Sequence, residues 1–445
     1  MTNILFLAFE FPPLNRGGVH RSLAFVKYLP QFGVNPIVVS LDPESYPDVF
    51  DQYGLDESLG KELEASATLI RLKSEPVKAI SRMGRFLSIY FSLHGNEVKN
   101  WKKNYFSALP QIMTTYSPKL VFATLPPFSM LPVALKTARL YGLPMVLDFR
   151  DAWSQWRTLP FGTWFHYQVN LDLEKKYLDK AAAIITTSLQ TLEDFKQLHP
   201  HIATSKFHYI PNGYDGELDG WKTPELDTNP IRIGYVGSFY YSPEARKQML
   251  APWWKKRGHR MLQYMPRKQD WLYRSPYFFF KALKHLQLIR PAVFKRIKVE
   301  FVGKKPDWLT DMIREMGLDE QVSLLGEKTH KDALWFQKGC DLLLITSAKM
   351  IGGRDYSIAG KTFEYIQAQK PILSFASEGA QKDILKKTGL ALICDPDNEQ
   401  QSAEKILSLI SGELVLTPDF QFIGSLSRKA LSGQLAQLLN QVGSA

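Results

Sequence analysis

Short apolar runs alternate with stretches of helical periodicity along the whole chain, the pattern of parallel sheets joined by crossover helices. Ile4 to Ala8 reads as the first strand. The helix after it starts near Gly18, sets Leu23, Phe25, Val26 and Leu29 on its apolar side and stops at Gly33. Pro36 to Leu41, Leu120 to Ala123, Met145 to Phe149 and Ala183 to Thr187 read as further strands, with Ser188 placed to cap the next helix. A turn-rich stretch from Pro211-Asn212-Gly213 to Pro230 then breaks the alternation. It restarts with strands at Ile231 to Val236, Ile297 to Val302, Val322 to Leu325, Asp341 to Ile345, Pro371 to Phe375 and Leu390 to Cys394, and ends in one amphipathic helix from about Ile423 to Val442. The expected fold is α/β, with two Rossmann-like, doubly wound parallel-sheet domains over 1–215 and 231–420, a linker at 216–230 and a terminal helix in 421–445. A length of 445 residues suits two such domains better than a single core.

Composition narrows the class. The balance of 45% hydrophobic and 22% charged residues is that of a globular protein and excludes disordered or collagen-like chains. No apolar run reaches the roughly 20 residues that span a bilayer, and Met1 to Leu7 lacks a basic leader, so a cytoplasmic protein without a signal peptide is expected. Cys340 and Cys394 stand far apart with no metal-ligand spacing, which argues against a zinc site and fits a reducing compartment. The net charge of +11 points to an anionic partner, and it is unevenly spread: Tyr241 to Ser275 holds nine Lys or Arg against two acids.

In an open α/β sheet, ligands sit beyond the carboxyl ends of the strands. After the first strand, the paired Gly17 and Gly18 open a helix whose N–H groups suit an anion; a tight turn without a ligand is the alternative. The spacing is not GxGxxG and the chain has no GxxxxGK[ST], so dinucleotide and P-loop readings lose their main support. A second concentration runs from Gly352-Gly353-Arg354-Asp355 to Gly360-Lys361-Thr362-Phe363-Glu364-Tyr365, a candidate phosphate cradle in which Lys361 and Glu364 share a helical face and could instead pair.

Taken in order, Gly17-Gly18, Asp148-Phe149-Arg150-Asp151-Ala152-Trp153, Pro211-Asn212-Gly213, Tyr235-Val236-Gly237-Ser238 and Gly360 to Tyr365 resemble glycosyltransferase family 4 over nearly the whole chain. The resemblance implies the GT-B fold, with a nucleotide-diphosphate sugar as co-substrate held by the second domain and an acceptor by the first. It implies a last helix that crosses back to the first domain, retaining transfer, and no metal. Glu364 would bond the donor ribose. Lys361 and the backbone before it would lie near the diphosphate, with Gly360, Thr362, Arg354 and Asp355 also on the donor side, Gly237 and Ser238 at the first strand end and Gly326 and Glu327 at the base. Gly17 and Gly18 would approach the donor from the other domain. Arg274, Lys361 and the Gly18 loop are the expected leaving-group stabilisers, and Arg150 and Asp151 the candidates for acceptor or sugar contacts. Departures are visible. Tyr356 stands where the family usually has a second glutamate, leaving Asp355 as its substitute or the sugar held differently. Ser238 occupies the place of an arginine, and Arg150 and Asp151 follow the strand where many members have a histidine.

The resemblance also marks residues 239–273 as an insertion. Its Trp253, Trp254, Lys255, Lys256, Arg257, Arg260 and Trp271 suit an anionic membrane surface or a glycan or lipid-linked acceptor; tryptophans packed on the domain body are the alternative. Nucleic-acid binding has the same chemistry but no supporting fold motif. A catalytically inactive scaffold and a nucleotide-sugar epimerase remain as rival functions of the architecture.

Overall fold

A computed structural model describes residues 1–61, 67–75, 97–155, 160–223, 226, 229–256 and 258–444. The chain separates into two units. The first comprises Met1–Asp215, Arg257–Pro266 and Ser427–Ala445; the second comprises Gly216–Lys256 and Arg267–Leu426.

The first unit carries seven parallel strands: β1 (Thr2–Leu7), β2 (Val34–Leu41), β3 (Thr68–Leu72), β4 (Val121–Leu125), β5 (Met145–Phe149), β6 (Ala183–Thr186) and β7 (Phe207–Tyr209), in the spatial order β3-β2-β1-β4-β5-β6-β7. Central strands such as β4 and β5 are buried residue by residue, because helices cover both faces of a parallel sheet. The side-chain period of two divides the core. Leu5, Leu7, Leu147 and Phe149 face one side with Trp101 and Tyr105, while Ile4, Phe6, Phe122 and Val146 face the other. On that second side lie Phe25 and Val26 of the helix Gly17–Tyr28 and Leu431, Leu435 and Leu439 of the last helix. Ser188 caps the helix Leu189–Leu198 by accepting from the Thr191 N–H.

The second unit has six parallel strands: β8 (Ile231–Val236), β10 (Ile297–Val302), β11 (Val322–Gly326), β12 (Leu342–Thr346), β14 (Ile372–Phe375) and β15 (Ala391–Ile393), in the order β11-β10-β8-β12-β14-β15. Two short strands that the sequence pattern does not reveal, β9 (Lys268–Asp270) and β13 (Lys349–Ile351), pair antiparallel, so the end of the basic insertion is stitched to the loop after β12. Arg246, on the helix Pro243–Leu250, grips Asp270 through two bonds of 2.6 and 2.8 Å.

The expected single terminal helix is two. Asp419 caps Phe420–Ser425, the chain breaks at Leu426 and Ser427, and Arg428–Ser444 follows. The break has a backbone cause: Ser427 bridges Tyr214 and the Arg428 N–H donates to the Tyr214 carbonyl at 2.8 Å, bonds an uninterrupted helix could not make. Among the described residues, no helix is long and apolar enough to cross a membrane.

Leu435 is fully buried in the first unit's core. Leu435→Ala should therefore cost about 2–5 kcal/mol, read as a lowered urea midpoint at unchanged slope; a change under about 1 kcal/mol would mean the last helix is not part of that core.

Candidate functional site

Each sheet has one place where strand order reverses, between β1 and β4 in the first unit and between β8 and β12 in the second, and the carboxyl ends at such a point are where open α/β sheets bind ligands. In the second unit, β8 and β12 are paired only at Ile233 and Gly234, so their ends diverge.

Three adjacent strands of the second unit finish in glycines. Gly237, after β8, has φ +106° and donates its N–H to the Val302 carbonyl at 2.8 Å. Gly303, after β10, backs onto it so closely that a methyl group there would fall 2.4 Å from the Gly237 oxygen. Gly303 donates to the carbonyl of Gly326, which closes β11, at 2.9 Å, and Lys305 lies over Gly326 with Cε 3.3 Å from a Cβ built there. The result is bare backbone flanked by cations.

Lys361 is the second residue of the helix Gly360–Ala368, and its Nζ would lie 3.0 Å from a methyl group on Gly237. The same ammonium sits 3.7 Å from the centre of the Tyr235 ring. Removal from water pulls its pKa down from 10.5 to about 7; the Glu364 carboxylate opposes that shift and the Arg274 guanidinium adds to it. Tyr235 is fixed in turn, stacked on Phe239 at 3.9 Å with its hydroxyl donating to the Ser238 carbonyl at 3.2 Å. Tyr365, buried on the same helix, accepts the Val236 N–H at 3.0 Å and so keys the helix to the end of β8. Glu364 accepts from the buried Gln337 amide at 3.0 Å. The sequence allowed a pairing of Lys361 with Glu364, but each side chain is directed to a different neighbour. Buried Gln381 orients the helix start: it accepts from the Ala359 N–H at 2.9 Å and donates to the Thr346 carbonyl at 3.2 Å. The hydroxyl of Thr346 holds the Arg274 carbonyl at 2.9 Å, and the Arg274 guanidinium lies 5.8 Å from the Tyr240 ring.

Other expected donor residues are placed less directly. Gly360 opens the helix, Thr362 is fully buried beneath it, and Glu327 is exposed beyond β11. Arg354 pairs with Asp383 at 2.8 Å. Asp355 is buried and shapes its own loop, accepting from the Ser357 N–H at 3.0 Å and bonding Glu378 and Ala380 through its backbone.

In the first unit, Gly17 and Gly18 open their helix as expected, with Gly17 exposed. Arg150 fills the space a side chain on Gly18 would need: a methyl group there would fall 1.4 Å from Nη1. The guanidinium also donates to the Leu125 carbonyl at 3.2 Å and to the Pro126 carbonyl, and lies 3.7 Å from Glu10. Asp151 is half-buried at the head of the loop. Below them lies a cluster the sequence reading missed. Arg21 reaches the fully buried Asp148 with two bonds of 3.1 and 2.8 Å, and donates to the Pro211 carbonyl at 2.8 Å. The loop after Arg150 is anchored by buried Glu174, which accepts from the Ser154 N–H and hydroxyl and bonds His199 at 2.8 Å.

Of the insertion residues, Trp253 and Trp254 are 62% and 63% exposed, with their rings packed edge-to-face on each other at 5.9 Å. Trp271 is half-buried and donates to the buried Gln269 side chain at 2.6 Å. Lys255 is exposed, Lys256 is half-buried with its pKa lowered by desolvation, Arg260 is exposed within the first unit, and Arg257 lies outside the described residues.

Comparison with known proteins follows this geometry. Residues 16–218 match the model of Glycosyltransferase Family 4, and residues 279–420 match that of Glycosyl transferases group 1, which between them take in most of the chain. A search of curated protein sequences finds no match. Among solved structures, a glycosyltransferase from Rickettsia africae superposes with a TM-score of 0.57 at 13% identity, covering 99% of this chain and 98% of that one. Sucrose-phosphate synthase from Thermosynechococcus elongatus gives 0.59 at 14%, covering 100% of both chains. Anabaena HepE, solved with UDP-glucose, gives 0.51 at 15%, covering 100% of this chain and 98% of that one. At these identities the likeness shows a common fold of two parallel α/β domains, GT-B.

The buried Arg21–Asp148 pair generates a test. Arg21→Met strands the Asp148 carboxylate and should cost about 3–5 kcal/mol in urea unfolding, whereas adding Asp148→Leu should restore most of the loss. An Arg21→Met variant as stable as the parent would remove the pair from the account of this site.

Proposed function

The chain belongs to the group 1, family 4 glycosyltransferases, a retaining family using nucleotide-sugar donors, and from that premise we propose which groups bind the donor and which class of acceptor is used. The observation that carries the proposal is Lys361, a desolvated ammonium held against bare glycine backbone at the reversal point of the second sheet. Glu364 offsets only part of the cost of removing this cation from water, and a donor diphosphate would supply the rest.

In this reading the diphosphate is met by Lys361 and Arg274, with the N–H groups at the start of the helix Gly360–Ala368 facing its oxygens. Glu364, steadied by Gln337, takes the ribose hydroxyls, and Gly326 and Glu327 border the base. Asp355 contributes by shaping the loop, and Arg354 by its pairing with Asp383 at that loop's edge. The bond from the anomeric carbon to the phosphate oxygen breaks as the acceptor oxygen bonds that carbon on the same face. The acceptor hydroxyl proton passes to the departing phosphate, so the protein supplies charge stabilisation and alignment in place of a strong base. Metal independence is part of the same proposal, since the two cations neutralise the leaving group. Arg150 and Asp151 are assigned to acceptor or sugar contacts, Gly17 and Gly18 keep their expected role toward the donor, and the acceptor is assigned to the lipid-linked or polysaccharide class on the strength of the basic insertion.

Thermal shift against UDP, GDP, TDP, ADP and CMP sugars tests the donor half. A ligand specific to the folded state should add about 2.7 kcal/mol at a hundredfold excess over its Kd. Lys361→Ala should abolish that shift for the matching donor and lower turnover by roughly 10²–10³-fold, with the fold intact. A folded chain that responds to no donor in the panel would favour a scaffold role.

A further inference from the structure

The first unit has a corner whose large apolar side chains point to water. The Phe161 N–H donates to the Tyr264 carbonyl at 2.8 Å and the Tyr264 N–H to the Phe161 carbonyl at 3.0 Å; the Tyr264 ring also packs 4.9 Å from Tyr167. This bridge fastens the middle of the basic insertion to the head of the helix Trp164–Lys180. Thr163 caps that helix, and its buried positions begin at His166 and Tyr167, which leaves Trp164 and Phe165 56% and 71% exposed. On the other arm of the bridge Met261 and Leu262 are 40% and 64% exposed, next to exposed Arg260. Single exposed apolar residues are ordinary; four large ones on two joined segments are not.

The insertion that carries Met261 and Leu262 is cationic in sequence, and its part within this unit, residues 257–266, has two arginines and no acid. From residue 245 to 269 the sequence has eight Lys or Arg and no Asp or Glu. We propose that this corner docks the protein on an anionic lipid bilayer: Trp164, Phe165, Met261 and Leu262 enter the boundary between headgroups and acyl chains, and Arg260 beside them meets the lipid phosphates. A bilayer is the partner with an apolar layer directly behind an anionic surface. Nucleic acid would match the cations and the aromatic rings, but Met261 and Leu262 offer a base nothing to stack on. Lipid docking needs no donor, so it stands or falls separately from the glycosyl-transfer reading and is consistent with its lipid-linked acceptor.

The test is co-sedimentation of the full chain with vesicles. The wild-type protein should pellet with mixed phosphatidylglycerol and phosphatidylcholine vesicles, stay in solution with phosphatidylcholine alone, and be released when salt is raised about tenfold. Trp164→Ser combined with Leu262→Ser should weaken partitioning at least about tenfold while leaving the thermal midpoint and donor response unchanged. Phe165→Ser, at the most exposed of the four positions, provides the check should the double variant fail to fold, and should weaken partitioning in the same direction. Equal binding by variant and wild type, binding that ignores lipid charge, or no binding at all would overturn the proposal. So would tighter retention on a single-stranded oligonucleotide that the double variant leaves unchanged.

Discussion

The second unit is arranged around one desolvated lysine. Withdrawing an ammonium from water is costly unless other groups compensate, and here partial compensation comes from the face of Tyr235 and the nearby Glu364, in the space that Gly237 leaves open. Each of these is itself held. Phe239 stacks on Tyr235, Gln337 bonds Glu364, and Gly303 packs against Gly237. Tyr365 locks the lysine's helix to the strand that ends at Gly237, and Gln381 fixes the start of that helix. Rigid second neighbours matter because a phosphate-binding cation acts electrostatically only if it is in place before the charge develops.

The first unit solves a related problem with a different partner. Arg150 lies against Gly18 as Lys361 lies against Gly237: in both units a glycine gives up its side-chain space to a cation at a strand end. Beneath Arg150, the Arg21–Asp148 pair joins the opening helix, the end of β5 and the Pro211 turn in one buried network. Glu174, bonded to Ser154 and His199, anchors the loop that carries Asp151. The proposed acceptor and donor regions are thus each backed by buried polar clusters, and such clusters hold a geometry only when their members are satisfied.

Much of the architecture was legible in the sequence. Buried central strands such as Met145–Phe149 and Ile231–Val236 are mostly apolar, interrupted only by Asp148 in the first and by Arg232 and Gly234 in the second, so their limits were read to the residue. Edge strands were not: Thr68–Leu72 is half-buried along its length and Phe207–Tyr209 is three residues long, too little for a periodic signal. The pair Lys268–Asp270 and Lys349–Ile351 is polar and depends on contacts distant in sequence. The site divides along the same line. Gly18, Gly237, Lys361 and Glu364 sit in ordered motifs and could be picked out, whereas Tyr235, Gly303, Gln337 and Gln381 act through packing across strands. Arg21 left one usable trace, a cation within the buried run of Val19, Ser22 and Phe25.

Proton uptake on donor binding tests the central role of Lys361 most directly. With its pKa near 7 in the free protein, the lysine is largely neutral at pH 8, and an adjacent diphosphate must raise that pKa and draw in a proton. Titration calorimetry with the matching donor, in two buffers of different ionisation enthalpy, should show net uptake at pH 8 that fades toward pH 6 and disappears in Lys361→Met. Affinity should fall as pH rises above about 7. Donor binding with no proton exchange at pH 8, or with exchange that survives in Lys361→Met, would contradict the account.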